Sequence, residues 1–134
     1  MIGVVDTSAL LRLFVPDGPL PDGFEAFMRG VERSQNAAIA PELMVAEAAG
    51  VIARKQHLGE LSDDESDGLV AGILAVPVRL FGHRPLVPRA FELAREHGLT
   101  VYDTLYLALA ETQGAVLFTA DRKLAKTASR LHVI

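Results

Sequence analysis

The chain has 134 residues, of which 50% are apolar and 22% charged, so it can bury a core of ordinary size and is not a disordered chain. It has no cysteine, which excludes disulfides and thiolate chemistry, and its net charge of −4 gives no basic signature of nucleic-acid binding. This negative net charge does not exclude nucleic-acid binding, because divalent cations bound in an acidic site reverse the sign of the local electric field. No basic leader or membrane-spanning run is visible, so we expect one cytoplasmic domain over residues 1–134.

Short apolar runs and amphipathic segments alternate along the chain, with a turn-rich loop at 16–23. The alternation predicts a three-layer α/β/α fold around a parallel sheet of about five strands. A capping box, "SDDE", begins the helix at 62–75. The strands are predicted at 2–5, 37–40, 78–81, 99–102 and 115–119, with a short terminal one at 131–134, and the helices at 7–15, 24–34, 42–57, 62–75, 84–98, 104–114 and from 122 onward.

Three aspartates directly follow predicted strands: Asp6, Asp103 and Asp121. In open α/β sheets, ligands bind at the carboxyl ends of the strands, so these side chains are expected to converge on one edge. Each also precedes a predicted helix, and an N-cap role explains any one of them taken alone. The three together favour a functional site.

Glu47 lies inside "LMVAEAAGVI", a helix that is apolar on every side and therefore predicted to be buried. A buried carboxylate is costly unless it is paired, so Glu47 either forms an ion pair with an arginine or binds a metal. Clustered carboxylates repel one another unless cations neutralise them. An all-oxygen site selects Mg²⁺ or Mn²⁺, and such ions activate water for phosphodiester hydrolysis.

Polar neighbours fit this site. Ser8 and Thr119 flank two of the aspartates and can hydrogen-bond a carboxylate or a phosphate, although ordinary helix-start and strand-end roles explain them equally well. The final helix carries basic residues that either form a solvated face or contact an RNA backbone. These are Arg122, Lys123, Lys126 and Arg130.

Four segments, "VVDTSAL", "PELMVAEAAGVI", "TVYDTLYLALAE" and "LFTADRKL", resemble in order and spacing the PIN domain, and the whole chain resembles the VapC toxins of toxin–antitoxin pairs. The resemblance implies an Mg²⁺- or Mn²⁺-dependent ribonuclease and a homodimer. It also implies a VapB-type antitoxin, bound in a groove near Leu10, Leu11, Phe14 and residues 16–33. The acidic site that the resemblance implies consists of Asp6, Glu47, Asp103 and Asp121, with Ser8 and Thr119 as supporting hydroxyl residues.

We therefore predict a metal-dependent endoribonuclease in which Asp6, Asp103 and Asp121 hold one or two ions. Glu47 then orients the attacking water or completes a second ion site. The alternatives are a catalytically silent PIN-like module that binds a protein or RNA, and a nuclease that cleaves DNA. A phosphoacceptor receiver domain fits less well, because no aspartate follows the strand at 78–81 and no lysine follows that at 115–119.

Overall fold

A computed structural model describes all 134 residues as four strands and seven α-helices. None of these helices has the length and apolarity needed to cross a membrane. In chain order the elements are β1 (Ile2–Val5), α1 (Thr7–Arg12), α2 (Phe24–Glu32), β2 (Ala37–Pro41), α3 (Leu43–His57), α4 (Asp63–Ala75), β3 (Val78–Phe81), a 3-10 turn (Arg84–Leu86), α5 (Val87–His97), α6 (Val101–Gln113), β4 (Val116–Phe118) and α7 (Arg122–Arg130).

The four strands form one sheet in the order β3-β2-β1-β4, and every pairing is parallel. Gly3 in the central strand β1 is in register with Ala38 of β2 and Val116 of β4. Helices flank the sheet, and α6 packs on both central strands. The predicted α/β class with a parallel sheet is confirmed, but the sheet has four strands and not five.

The strand predicted at 99–102 is wrong, and this accounts for the difference in strand number. Thr100 is the N-cap of α6, where its hydroxyl accepts a hydrogen bond from the Asp103 backbone N at 3.1 Å. Val101 and Tyr102 have high strand propensity, but they form the first turn of a long buried helix. The N-cap at Thr100 and the burial of the following apolar run therefore outweigh the strand propensity of Val101 and Tyr102.

The short strand predicted at 131–134 is also wrong. Val133 accepts one backbone hydrogen bond, from Leu117 in β4, and no further pairing extends this contact into a ladder. The predicted capping box is confirmed, since the Ser62 hydroxyl accepts from the Glu65 backbone N and the Glu65 side chain accepts from the Ser62 backbone N. The predicted loop at 16–23 contains no helix or strand.

The core is one cluster of 29 buried apolar residues centred on β1, β2 and α6. Seven consecutive residues of α6, Thr104–Ala110, are buried, so this helix is enclosed on all sides. Gly3 lies under the aromatic rings of Phe27 and Phe118, and a Cβ at that position would come within 2.6 Å of the Phe27 ring. This dense packing holds the carboxyl ends of the strands in fixed positions.

Candidate active site

A cleft of about 230 Å³ opens at the carboxyl edge of the sheet. The four carboxylates predicted from the sequence all line it, and each comes from a different part of the chain. Asp6 follows β1, Glu47 lies in the second turn of α3, Asp103 is in the first turn of α6 and Asp121 begins α7. The remaining lining residues are Thr7, Ser8, Leu11, Val51 and Tyr106.

Asp6 is the most buried of the four, with only 4% of its surface exposed. It is the N-cap of α1, and its Oδ1 accepts hydrogen bonds from the Ala9 backbone N at 2.8 Å and from the Ser8 hydroxyl at 2.7 Å. Burial raises the pKa of Asp6 to about 6 and the negative charge of Asp121 adds to the rise, although the hydrogen bonds oppose it. No cationic side chain forms an ion pair with Asp6 to compensate the buried charge at neutral pH.

Glu47 is held by two hydroxyl groups. Its Oε1 accepts hydrogen bonds from the Tyr106 hydroxyl at 2.6 Å and from the Thr7 hydroxyl at 2.9 Å, and the two hydroxyl oxygens lie 2.8 Å apart. Burial raises the pKa of Tyr106, and the hydrogen bond to Glu47 raises it further, so Tyr106 remains a donor at all ordinary pH values. Glu47 forms no ion pair with an arginine, which removes the simpler explanation of its position.

The other two aspartates differ in exposure and in local role. Asp121 is exposed and caps α7, where its Oδ1 accepts from the backbone N of Lys123 at 2.9 Å and of Leu124 at 3.1 Å. Asp103 is half-buried and caps no helix, because Thr100 occupies the cap position of α6. Burial raises the pKa of Asp103, and the nearby charge of Asp121 raises it further.

Hydrogen bonds of Ser8 and Thr119 connect the carboxyl ends of β1 and β4 at the cleft. The Ser8 hydroxyl donates to Asp6 and accepts from the Ala120 backbone N at 2.9 Å, while it lies 3.3 Å from the Thr119 hydroxyl. Thr119 in turn accepts from the Asp121 backbone N at 3.0 Å. These contacts fix the position of Asp6 relative to Asp121.

The donor set suits a hard divalent cation. No lysine, arginine or histidine lies within ion-pair distance of any of the four carboxylates, and Lys123 offsets only part of the charge at Asp103. All ligand atoms on offer are oxygens, which Mg²⁺ and Mn²⁺ prefer. As the side chains stand, no three of them are grouped closely enough to hold one ion together.

Sequence reasoning did not assign Thr7 and Tyr106 to the site. A signal was nevertheless available, because Tyr106 lies three residues after Asp103 and therefore shares a helix face with it. The hydroxyl of a buried tyrosine also needs a partner, which here is Glu47.

The fold and the site together are those of an α/β protein with an acidic site at the carboxyl edge of a parallel sheet. Among known protein families, the model of the PIN domain family matches residues 3–130 of the chain. The chain belongs to the PIN domain family.

A curated relative from Pyrobaculum aerophilum, named ribonuclease VapC3, is 33% identical over 125 residues, covering 92% of this chain and 92% of the relative. The crystal structure of PAE2754 from the same organism matches with a TM-score of 0.71 at 26% identity, covering 95% of this chain and 79% of that one. Mycobacterium tuberculosis VapC20, described as a toxin that cleaves the sarcin-ricin loop, matches with a TM-score of 0.66 at 15% identity, covering 92% and 93%, and shows the shared fold.

Proposed function

We propose that this protein is a metal-dependent endoribonuclease that hydrolyses RNA phosphodiester bonds as a VapC-type toxin of a toxin–antitoxin pair. One structural observation carries the proposal: four carboxylates from four separate parts of the chain line one cleft, and none of them forms an ion pair with a cationic side chain. The name of the P. aerophilum relative supports RNA as the substrate. A single nuclease domain over residues 1–134 and a cytoplasmic location are parts of the same proposal.

Asp6, Glu47, Asp103 and Asp121 would hold one or two Mg²⁺ or Mn²⁺ ions. When bound, such an ion lowers the pKa of water and stabilises charge on phosphate oxygens. Tyr106 and Thr7 orient Glu47 by holding its Oε1, which leaves Oε2 directed to other partners. Ser8 and Thr119 hold the ends of β1 and β4 together and thereby fix Asp6 relative to Asp121. Asp6 accepts protons poorly once an ion is present, because the added positive charge lowers its pKa.

The partners in this proposal are RNA, a VapB-type antitoxin and a second copy of the chain. An apolar depression of about 410 Å³ lies in the region expected to receive the antitoxin. It is lined by Leu13 and Phe14, which follow α1, by Met28 of α2, and by residues of α4. Phe14 and part of residues 16–33 line this depression, whereas Leu10 is fully buried and Leu11 lines the acidic cleft instead. The depression therefore supports part of the antitoxin face that the family resemblance implies.

The test is cleavage of a single-stranded RNA pool in Mg²⁺, in Mn²⁺ and in EDTA. Asp6→Asn removes a carboxylate while keeping a good N-cap, and Asp63→Asn is the matched control at an exposed acid outside the cleft. We expect cleavage that requires the metal, vanishes in Asp6→Asn and persists in Asp63→Asn. A DNA oligonucleotide of the same sequence tests the alternative of a DNA nuclease.

A catalytically silent module is the second candidate, since no three acidic side chains are placed to hold an ion as they stand. Titration calorimetry with Mn²⁺ separates the two. No heat of binding, together with no cleavage of RNA, would leave the four carboxylates as caps and hydrogen-bond acceptors and would support the module.

A further inference from the structure

Four basic residues lie along α7, and we call them the α7 stripe: Arg122, Lys123, Lys126 and Arg130. All four are exposed, and the helix contains no acidic residue. The stripe holds four of the 13 lysine and arginine residues of a chain whose net charge is −4. Positive charge is therefore concentrated on one helix of an acidic protein.

No ion pair ties down the α7 stripe. None of its four side chains has an acidic partner within 4.0 Å. Lys123 donates to the Gly98 carbonyl, and its charge lowers the pKa of Asp103 without forming an ion pair with it. A helix face that only needs solvation commonly mixes both signs of charge, and this one does not.

The α7 stripe lies next to the acidic cleft. Asp121 lines the cleft, and it also lines a neighbouring groove of about 450 Å³ together with Arg12 and Arg122. That groove shares Arg122 and Ala125 with a third depression of about 630 Å³, which Lys123, Lys126 and Ser129 complete. An RNA strand that leaves the cleft at Asp121 would therefore meet α7 next.

We propose that the α7 stripe binds the phosphate backbone of single-stranded RNA on one side of the cleavage position. The inference rests on the proposed ribonuclease function. Without a bound metal ion, the four carboxylates at the cleft repel phosphates, so the electrostatic part of the affinity for RNA has to come from cations outside the cleft. The stripe extends about 12 Å from Arg122 to Arg130, enough to contact a few nucleotides beyond the cleft.

The proposal has a measurable salt signature. For single-stranded nucleic acid, the slope of log K against log salt is about −0.7 per phosphate neutralised. Four contacts predict a loss of affinity of about 50-fold between 50 and 200 mM salt, and two contacts predict about 7-fold. Removing Lys126 and Arg130 should therefore flatten the salt dependence by a clear margin.

The experiment measures binding of a short single-stranded RNA oligonucleotide by fluorescence anisotropy, in EDTA and over a series of salt concentrations. The parent is Asp6→Asn, so that RNA is not cut. The test variant adds Lys126→Ala and Arg130→Ala. The control adds Arg79→Ala and Arg84→Ala, which remove the same charge from two exposed residues that form no ion pair. Arg79 lies in β3, the edge strand opposite β4, and stacks over the Phe81 ring, and Arg84 follows that strand. The KM for RNA cleavage is then measured for the same two double substitutions in the chain that retains Asp6.

Weaker binding, a salt slope reduced by about 1.4 and a raised KM in the test variant, with neither change in the control, would support the α7 stripe. Equal losses in both variants would overturn it in favour of net charge alone. RNA cleavage with unchanged KM in the test variant would overturn the stripe while the ribonuclease stands, and would leave α7 as a solvated face or a surface for an acidic protein. Absence of both RNA binding and cleavage in the unsubstituted chain would overturn both proposals.

Discussion

Replacing Asp6 by asparagine is expected to stabilise the metal-free protein at neutral pH, although it removes a group of the candidate site. Burial raises the pKa of this carboxyl from 3.8 to about 6. An acid whose pKa is higher in the folded state makes folding less favourable as the pH rises through that range. The folded protein therefore carries the full cost of the buried charge above about pH 6.

The magnitude follows from the shift. A rise of about two pKa units corresponds to about 3 kcal/mol at pH 7, since each unit is 1.36 kcal/mol. Asparagine has the same shape and can accept the bonds from Ala9 and Ser8, so most of the cost should vanish in the variant. At pH 4.5 only about 1 kcal/mol of the cost remains, because the folded carboxyl is then mostly protonated.

The assay is urea unfolding of both proteins in EDTA at pH 7 and pH 4.5. We expect Asp6→Asn to raise the free energy of unfolding at pH 7 and to raise it less at pH 4.5. Addition of Mg²⁺ should then stabilise the parent and not the variant, because the ion supplies the missing positive charge. A variant less stable than the parent at pH 7 in EDTA would refute the reasoning, since it would show that the charged form of Asp6 is favoured by its hydrogen bonds.

Three further predictions concern residues around the core and the site. Tyr106→Phe removes the donor to Glu47 and is expected to lower kcat at least tenfold, with only about 1 kcal/mol lost in urea unfolding, whereas the exposed Tyr102→Phe should change neither. Gly3→Ala places a methyl group against the Phe27 ring and is expected to cost about 1–3 kcal/mol of stability in thermal or urea unfolding. Ser62→Ala breaks the capping box of α4 and is expected to cost about 1 kcal/mol, with RNA cleavage unchanged.

Each of these has an outcome that contradicts it. Full activity in Tyr106→Phe would show that Thr7 alone positions Glu47. Gly3→Ala with parental stability would mean that the aromatic rings move aside without loss of packing. A loss of activity in Ser62→Ala that exceeds its loss of stability would connect α4 to the cleft, a connection that the hydrogen bonds do not contain.

Much of the fold was predictable because local signals and burial agree in most elements. Strand β1 is a short apolar run that ends at Asp6, helix α3 is a long apolar segment between Pro41 and Gly59, and α4 begins with a capping box. The segment 99–102 failed because Val101 and Tyr102 favour strands while Thr100 caps a helix, and only the tertiary burial of α6 decides between them. Strand number could not be settled from such a short segment.

The candidate site was predictable in composition but not in its internal contacts. Asp6 and Asp121 do cap helices, as their positions indicated, and they also line the cleft, so the two interpretations are compatible. The hydroxyl pair that holds Glu47 joins residues 40 and 59 positions away from it, and no local pattern records such distances. The catalytic and metal-binding roles of the four carboxylates stay predictions.

The pairing of β1 with β4 joins residue 3 to residue 116, so the central strand gains its second neighbour only when almost the whole chain is available. Contacts of such large sequence separation form slowly, because a long loop must close before they contribute. Asp6 and Asp121 belong to these two strand ends and meet only at that step. During synthesis on the ribosome, we therefore expect the acidic cleft to assemble last, so that a partly made chain lacks the complete site of the proposed ribonuclease.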